Sequence, residues 1–208
     1  VGGRTVGQLY REGRISWGEA ERLLSFCNNA GPSFILGVVG LGCFQSLTAG
    51  WALYLIHAVS AVLVGVLLRG KRRPKPGLFP PQRLPENILP AFIRSVQDSA
   101  LAMLRVCGFV VFALVVQALV TEWTGISHPA ALGFIELTGG VMRLGSGRTD
   151  FVWAAALLGW GGLSVHGQTA AVLADTNLKM DRYFLGKLLQ AALSALLAYL
   201  LVFCWYSV

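Results

Sequence analysis

Residues 23–46, LLSFCNNAGPSFILGVVGLGCFQS, decide the fold: an apolar stretch of membrane-spanning length is interrupted near its middle by Asn28-Asn29-Ala30-Gly31-Pro32. A second stretch follows the same plan. Residues 151–174, FVWAAALLGWGGLSVHGQTAAVLA, are apolar at both ends and broken between Gly159 and Gln168. In hydrocarbon every backbone N–H and C=O needs a partner, so an unwound segment persists only inside protein or beside a water-filled cavity. Two such interruptions in one chain point to a transporter-type binding site near the midplane. Residues 28–32 and 164–168 are therefore both expected to be non-helical and to lie at similar depth.

Composition agrees with a membrane class. The chain has 208 residues, 55% hydrophobic and only 13% charged, with a mean hydropathy of +0.62, which is too apolar for an ordinary soluble domain. Residues 51–68, 106–121 and 188–205 contain no Asp, Glu, Lys or Arg, and each approaches the roughly 20 residues that a helix needs to cross a bilayer. The expected fold is all-α: one polytopic membrane domain over 1–208, with two broken transmembrane helices and a re-entrant element. Cys27, Cys43, Cys107 and Cys204 stand far apart in apolar surroundings, where cysteine acts as a small hydrophobe and no disulfide framework is implied. No signal-peptide pattern is present. The chain begins with Val1, so a processed or truncated piece is expected.

Basic charge sets orientation here. The formal net charge of +7 comes from 17 Lys/Arg against 10 Asp/Glu, and six of the bases fall in 69–83, RGKRRPKPGLFPPQR. Nucleic-acid binding would call for a basic patch with interleaved aromatics, and this proline-rich run has a single aromatic. A Lys/Arg-rich loop directly after a span is the positive-inside signal. Residues 69–90 therefore read as a basic cytoplasmic linker loop. Arg4, Arg11, Arg14, Arg22 and the 179–187 turn then also fall inside, with Arg143 and Arg148 outside.

Along the chain, Ser16 followed by Glu19 forms a capping-box pattern that starts a short helix through Leu24. A long helix begins at Ala91, with Arg94 and Asp98 at pairing distance and Arg105 placed to snorkel. Residues 131–143, ALGFIELTGGVMR, are too short to span and suit a re-entrant hairpin entering from the outer side. Tyr183, Trp205 and Tyr206 sit near the ends of the last span, where interfacial aromatics belong.

The polar residues inside the spans are the candidate site. Glu136 is the only acid of its apolar run, and an intramembrane carboxylate is a functional hypothesis by default; at the outer interface it would simply be solvated. Asn28 and Asn29 offer donors and acceptors to an ion or polar ligand, and can equally cap the freed helix ends. Ser33 and Thr138 add hydroxyls beside the two positions. Ser164, His166 and Gln168, at two-residue spacing, would point the same way if extended. His166 looks like the buried imidazole able to change charge near neutral pH, or a structural histidine satisfied by its neighbours. Catalysis finds no support: GxSxG, HExxH and phosphate-loop motifs are missing from the sequence, and neither a metal site nor a cofactor is implied.

The strings ERLLSFCNNAGPSFILGVVG (21–40), FIELTGG (134–140), GWGGLSVHGQ (159–168) and YFLGKLLQ (183–190) resemble the sporulation integral membrane protein family known as YlbJ. That family carries the nucleoside-recognition, or Gate, domain also found in ferrous-iron transporters, concentrative nucleoside transporters and spore maturation proteins. The resemblance runs through almost the whole chain with its motifs in order. Family members are much longer, so this chain resembles their C-terminal part, and half of an inverted repeat of the Gate-type fold is expected to be missing. The resemblance implies a multi-pass protein of the mother-cell or forespore membrane that acts in endospore formation. It further implies transport or gating of a small polar solute, and lends Asn28, Asn29, Glu136, His166 and Gln168 as site positions. Membrane lipids, a coupling ion, and a second copy or other sporulation membrane proteins are the partners it admits. Small residues at helix crossings (Gly37, Gly40, Gly42; Gly159, Gly161, Gly162) suit close packing and leave a non-transporting scaffold for spore-envelope assembly as the alternative.

Overall fold

The computed structural model describes residues 2–69 and 87–205. Most of the expected 69–90 loop lies outside the described residues, as do Tyr206 and the chain ends. The described residues are all-helical, without strands. Helix α1 spans Gly2–Arg11 and α2 spans Trp17–Cys27. Ser16 caps α2: its hydroxyl accepts from Glu19 N, and the Glu19 carboxylate accepts from Ser16 N at 2.8 Å. Those bonds, the backbone one first, hold the Glu19 carboxyl below its ordinary range. The ionised form is thus favoured on folding, a contribution present above the usual carboxylate range and lost as pH falls through the lowered value. Ser16→Ala should cost about 1 kcal/mol, read as a lower unfolding midpoint in detergent at neutral pH, with the deficit shrinking in acid.

After α2 the chain unwinds over 28–31 and resumes at Pro32, whose fixed φ and missing N–H suit a first helical turn. The helix that follows, Phe34–Cys43, is of the wide π type, and the Phe44 N–H bonds back five residues to Val39 O. Ser46 then caps α3, Leu47–Leu67, through Ala49 N. Helix α4 covers Ile88–Thr124, 37 residues, and ends at Gly125 in the left-handed region with φ 71°. Two short helices follow, α5 Pro129–Ile135 and α6 Leu137–Val141, separated by the extended backbone of Glu136. This helix–break–helix fills the stretch where sequence suggests a re-entrant element. Helices α7 Arg148–Trp160, α8 Gly162–Leu173 and α9 Asp181–Tyr199 complete the bundle, and a final π turn covers Leu200–Trp205.

The first break stands where expected, but the second is displaced. Residues 164–168 are helical, and the interruption falls instead at Gly161 and Gly162, with φ 90° and 83°. Two successive left-handed residues turn the chain between α7 and α8, a backbone only glycine adopts at low cost. In a helix, residues two apart point to nearly opposite sides, so Ser164, His166 and Gln168 do not line up as an extended segment would place them. The expected Arg94–Asp98 pair is also replaced: Arg94 Nε donates to Pro90 O, while Asp98 pairs with Arg4 of α1 at 3.7 Å.

Helix α9 is the centre of the packing, against α7, α2 and α3. Gly159 lies directly on the Ala191 backbone and Gly186 on Ser25. One apolar core gathers Val39, Leu53, Phe151, Leu158 and neighbours, and a smaller one joins Val6, Leu24, Leu173 and Tyr183. Among the described residues, three helices are long and apolar enough to cross a bilayer: Leu47–Leu67, Ile88–Thr124 and Asp181–Phe203. Exposed apolar residues such as Leu55, Val62, Leu104 and Phe112 would be untenable in water and are natural facing lipid.

Candidate functional site

Helix α9 carries Tyr183, Lys187, Gln190 and Ser194 on one face, and all four are buried. Spacings of four, three and four residues stack side chains along one side of a helix, so α9 presents a polar stripe to the interior. Each group on it is tied to another element. Tyr183 OH bonds His166 Nδ1 of α8 at 2.8 Å and lies 3.3 Å from Asn28 Nδ2. Asn28 Nδ2 also donates to Thr169 Oγ1 at 2.8 Å. Lys187 Nζ donates to Asn28 O and to Gln190 Oε1. Gln190 Nε2 donates to Asn29 Oδ1 at 2.9 Å and lies against His57 of α3. Ser194 meets Ser60 at 2.8 Å. Buried polar groups are stable only when so satisfied. Tyr183→Phe should therefore leave the buried His166 Nδ1 without its partner and cost about 1–3 kcal/mol, seen as a lower unfolding midpoint.

A second fixture holds the Glu136 break. Glu136, 2% exposed, accepts Gly139 N on Oε2 at 2.7 Å and so caps α6. Its own carbonyl and that of Leu132 both receive Gln117 Nε2 from α4, at 3.0 and 2.6 Å. Gln117 and Ala113 are the buried residues of α4, so the long helix is fastened to the body at the point where the carboxylate is presented.

Between these fixtures lies a cavity of about 1140 Å³. Its wall includes 28–31 of the first break, Gly161 of the second, and Glu136, Thr138 and Lys187. Residues of α1, α8 and α4 also line it, with Arg4, Arg94, Asp98 and Arg105 among them. Arg4, Arg94 and Arg105 are exposed, whereas Glu136 and Lys187 are buried, so the wall runs from a wet charged end to a dry one. Of the sequence candidates, Asn28, Asn29, Glu136, Thr138 and Gln168 share this wall. Ser33 is exposed beyond Pro32 and caps nothing. Ser164 and His166 are buried behind the wall, each with a polar atom lacking a protein partner (Oγ and Nε2). The His166 ring packs edge-on to Trp160 and Tyr183, at 4.3 and 5.3 Å.

Sequence reasoning missed the interior half of this arrangement. Lys187 counts as a base of an inner turn by its position, yet it is 1% exposed within α9. Tyr183, expected at the membrane interface, is fully buried because three polar neighbours occupy its hydroxyl. His166 is joined by a second buried imidazole, His57. The available signal was the spacing 183, 187, 190, 194, a polar face on an otherwise apolar helix.

Fold and cavity together define a multi-pass, all-α membrane protein whose interrupted helices share the wall of a partly open cavity. The chain is similar to the sporulation integral membrane protein YlbJ of Bacillus subtilis (strain 168), with 28% identity over 245 aligned positions covering 97% of this chain. It spans 60% of that curated relative's length. No family model matches the chain. No solved structure matches it either.

Proposed function

We propose that this chain forms the solute pathway of a membrane protein acting in endospore formation, moving or gating a small polar solute through the chamber where the broken helices meet. The carrying observation is convergence: 28–31, Gly161 and the Glu136 break, far apart in sequence, share one cavity wall. Its volume suits a small ligand, and unwound backbone from separate segments lining one cavity is the kind of feature from which carrier sites are built. Charge narrows the solute. Of the bases on the wall among the described residues, Arg4 is matched by Asp98, which leaves Arg94, Arg105 and Lys187 with one further described carboxylate there, Glu136. That surplus favours a solute carrying negative charge together with a donor for Glu136. The role in sporulation is carried over from the similar B. subtilis protein.

Blocking the chamber tests this against the scaffold alternative. Ala102 lines the cavity, so Ala102→Cys on a cysteine-free background, labelled with a bulky maleimide, should stop solute uptake in proteoliposomes. In a spore-forming host, Ala102→Trp should abolish heat resistance of the spores while the protein still accumulates in the membrane. A scaffold would tolerate a filled cavity, and normal spores from the Trp protein would refute transport.

A further inference from the structure

The end of α2 is stripped of helical partners by the first break, and its carbonyls are taken up individually. Asn29 Nδ2 donates to Phe26 O at 2.7 Å. Asn28 O receives the Lys187 ammonium at 3.1 Å, and Gln190 Oε1 receives the same ammonium at 2.8 Å. Freed carbonyls at a helix C-terminus carry the negative end of the helix dipole. In carriers built on broken helices, such carbonyls hold the coupling cation. Here the cage already holds the Lys187 amine, on a side chain that is 1% exposed and lines the cavity. Among the described residues no carboxylate lies within ion-pairing distance of it. The titratable groups around it are His57 of α3, His166 of α8, Tyr183 of α9, Cys27 of α2 and Glu136 across the cavity.

With Lys187 protonated, a sodium ion entering this cage would set two cations side by side in a poorly solvated interior, an arrangement strongly opposed by Coulomb repulsion and desolvation. We propose that Lys187 is a tethered cation that fills the coupling-ion position at the first break, so that the carrier works without sodium there. The inference rests on the transport reading above and names its coupling chemistry.

Purified protein in detergent tests it without any solute. Unfolding midpoints are compared in sodium, potassium and choline chloride at equal ionic strength, for the native chain and for Lys187→Ala, the latter also with methylammonium chloride. The native midpoint should not distinguish the three salts. The alanine protein should melt several degrees lower and regain part of the loss with methylammonium or sodium, but not with choline, because only small cations enter the vacated cage. A sodium-specific rise in the native protein overturns the proposal, and so does indifference of the alanine protein to small cations. Should the alanine protein fail to fold, the native series still decides, since indifference to sodium supports the tethered cation and a sodium-specific gain refutes it. The two readings fail separately. Cation rescue alongside Ala102→Trp spores of normal heat resistance removes transport and keeps the tethered cation, whereas uptake driven by a sodium gradient does the reverse.

Discussion

Glu136→Gln should leave the protein folded and inserted while solute movement falls at least about tenfold, the equivalent of about 1.4 kcal/mol at the rate-limiting barrier. The fold is spared because the glutamine carbonyl oxygen can still accept Gly139 N as the carboxylate does, and because Gln117 holds the backbone carbonyls and not the side chain. What disappears is the remaining negative charge of the closed end of the cavity. Uptake in proteoliposomes, or heat resistance of spores carrying the variant, measures the effect, with membrane abundance as the control. Unchanged activity would mean that Glu136 serves only to cap α6. The His166→Asn protein should differ in kind. His166 sits behind the wall, bonded to Tyr183, so its loss should lower stability through the buried network more than it alters the pathway.

The largest structural effect is expected at the second break. Gly162 has φ 83°, and a Cβ there would meet Leu137 N at 3.0 Å. Gly162→Val then combines a left-handed backbone, which costs an L-residue about 1–2 kcal/mol, with overpacking against the Glu136 break, typically about 1–3 kcal/mol more. A sum near 3 kcal/mol is a large share of the total stability of about 5–15 kcal/mol that domains possess. The variant should therefore accumulate poorly and melt at much lower temperature. Gly108→Ala is the matched control: a Cβ there has nothing within 4 Å, and relief of glycine's helix penalty should leave stability equal or raised by up to about 1 kcal/mol. Equal melting of the two variants would show that the Gly161–Gly162 turn is not fixed in the native state.

How far the sequence reveals this molecule depends on how local each signal is. The Ser16–Glu19 cap, the break after Cys27 and the uncharged spans are each written in a few adjacent residues, and each appears in the structure. The second break was legible only as a region. Glycines at 159, 161, 162 and 167 all permit unwinding, and the close approach of the Glu136 backbone to Gly162 selects which of them turn. Pairing across the bundle is not local at all. Lys187 looks like a loop base until α2 delivers Asn28 O to it, and Gln117 and His57 look like isolated polar residues in apolar helices until the backbone they serve is in place. Of the candidate residues, Asn28, Asn29, Glu136 and Thr138 reach the cavity from a break, whereas the helical 164–168 segment sends only Gln168 there and turns Ser164 and His166 away.

The length of α4 has a consequence for how a solute would first meet the protein. Its 37 residues measure about 56 Å at roughly 1.5 Å each, nearly twice the roughly 30 Å of hydrocarbon in a bilayer. Tilts of up to about 40° absorb only part of the excess, so several turns must rise above the hydrocarbon into the headgroup and aqueous layers. The uncharged stretch 106–121 is the natural intramembrane portion, and the turns bearing Arg94, Asp98 and Arg105, which share the cavity wall with Arg4, form the projecting part. The chamber then has a vestibule at the level of the headgroups, where the exposed Leu104 beside Arg105 still meets lipid. Charged solutes would be concentrated there by a field that salt in the surrounding water screens over about 10 Å at 0.1 M, before any of them enters the dry end.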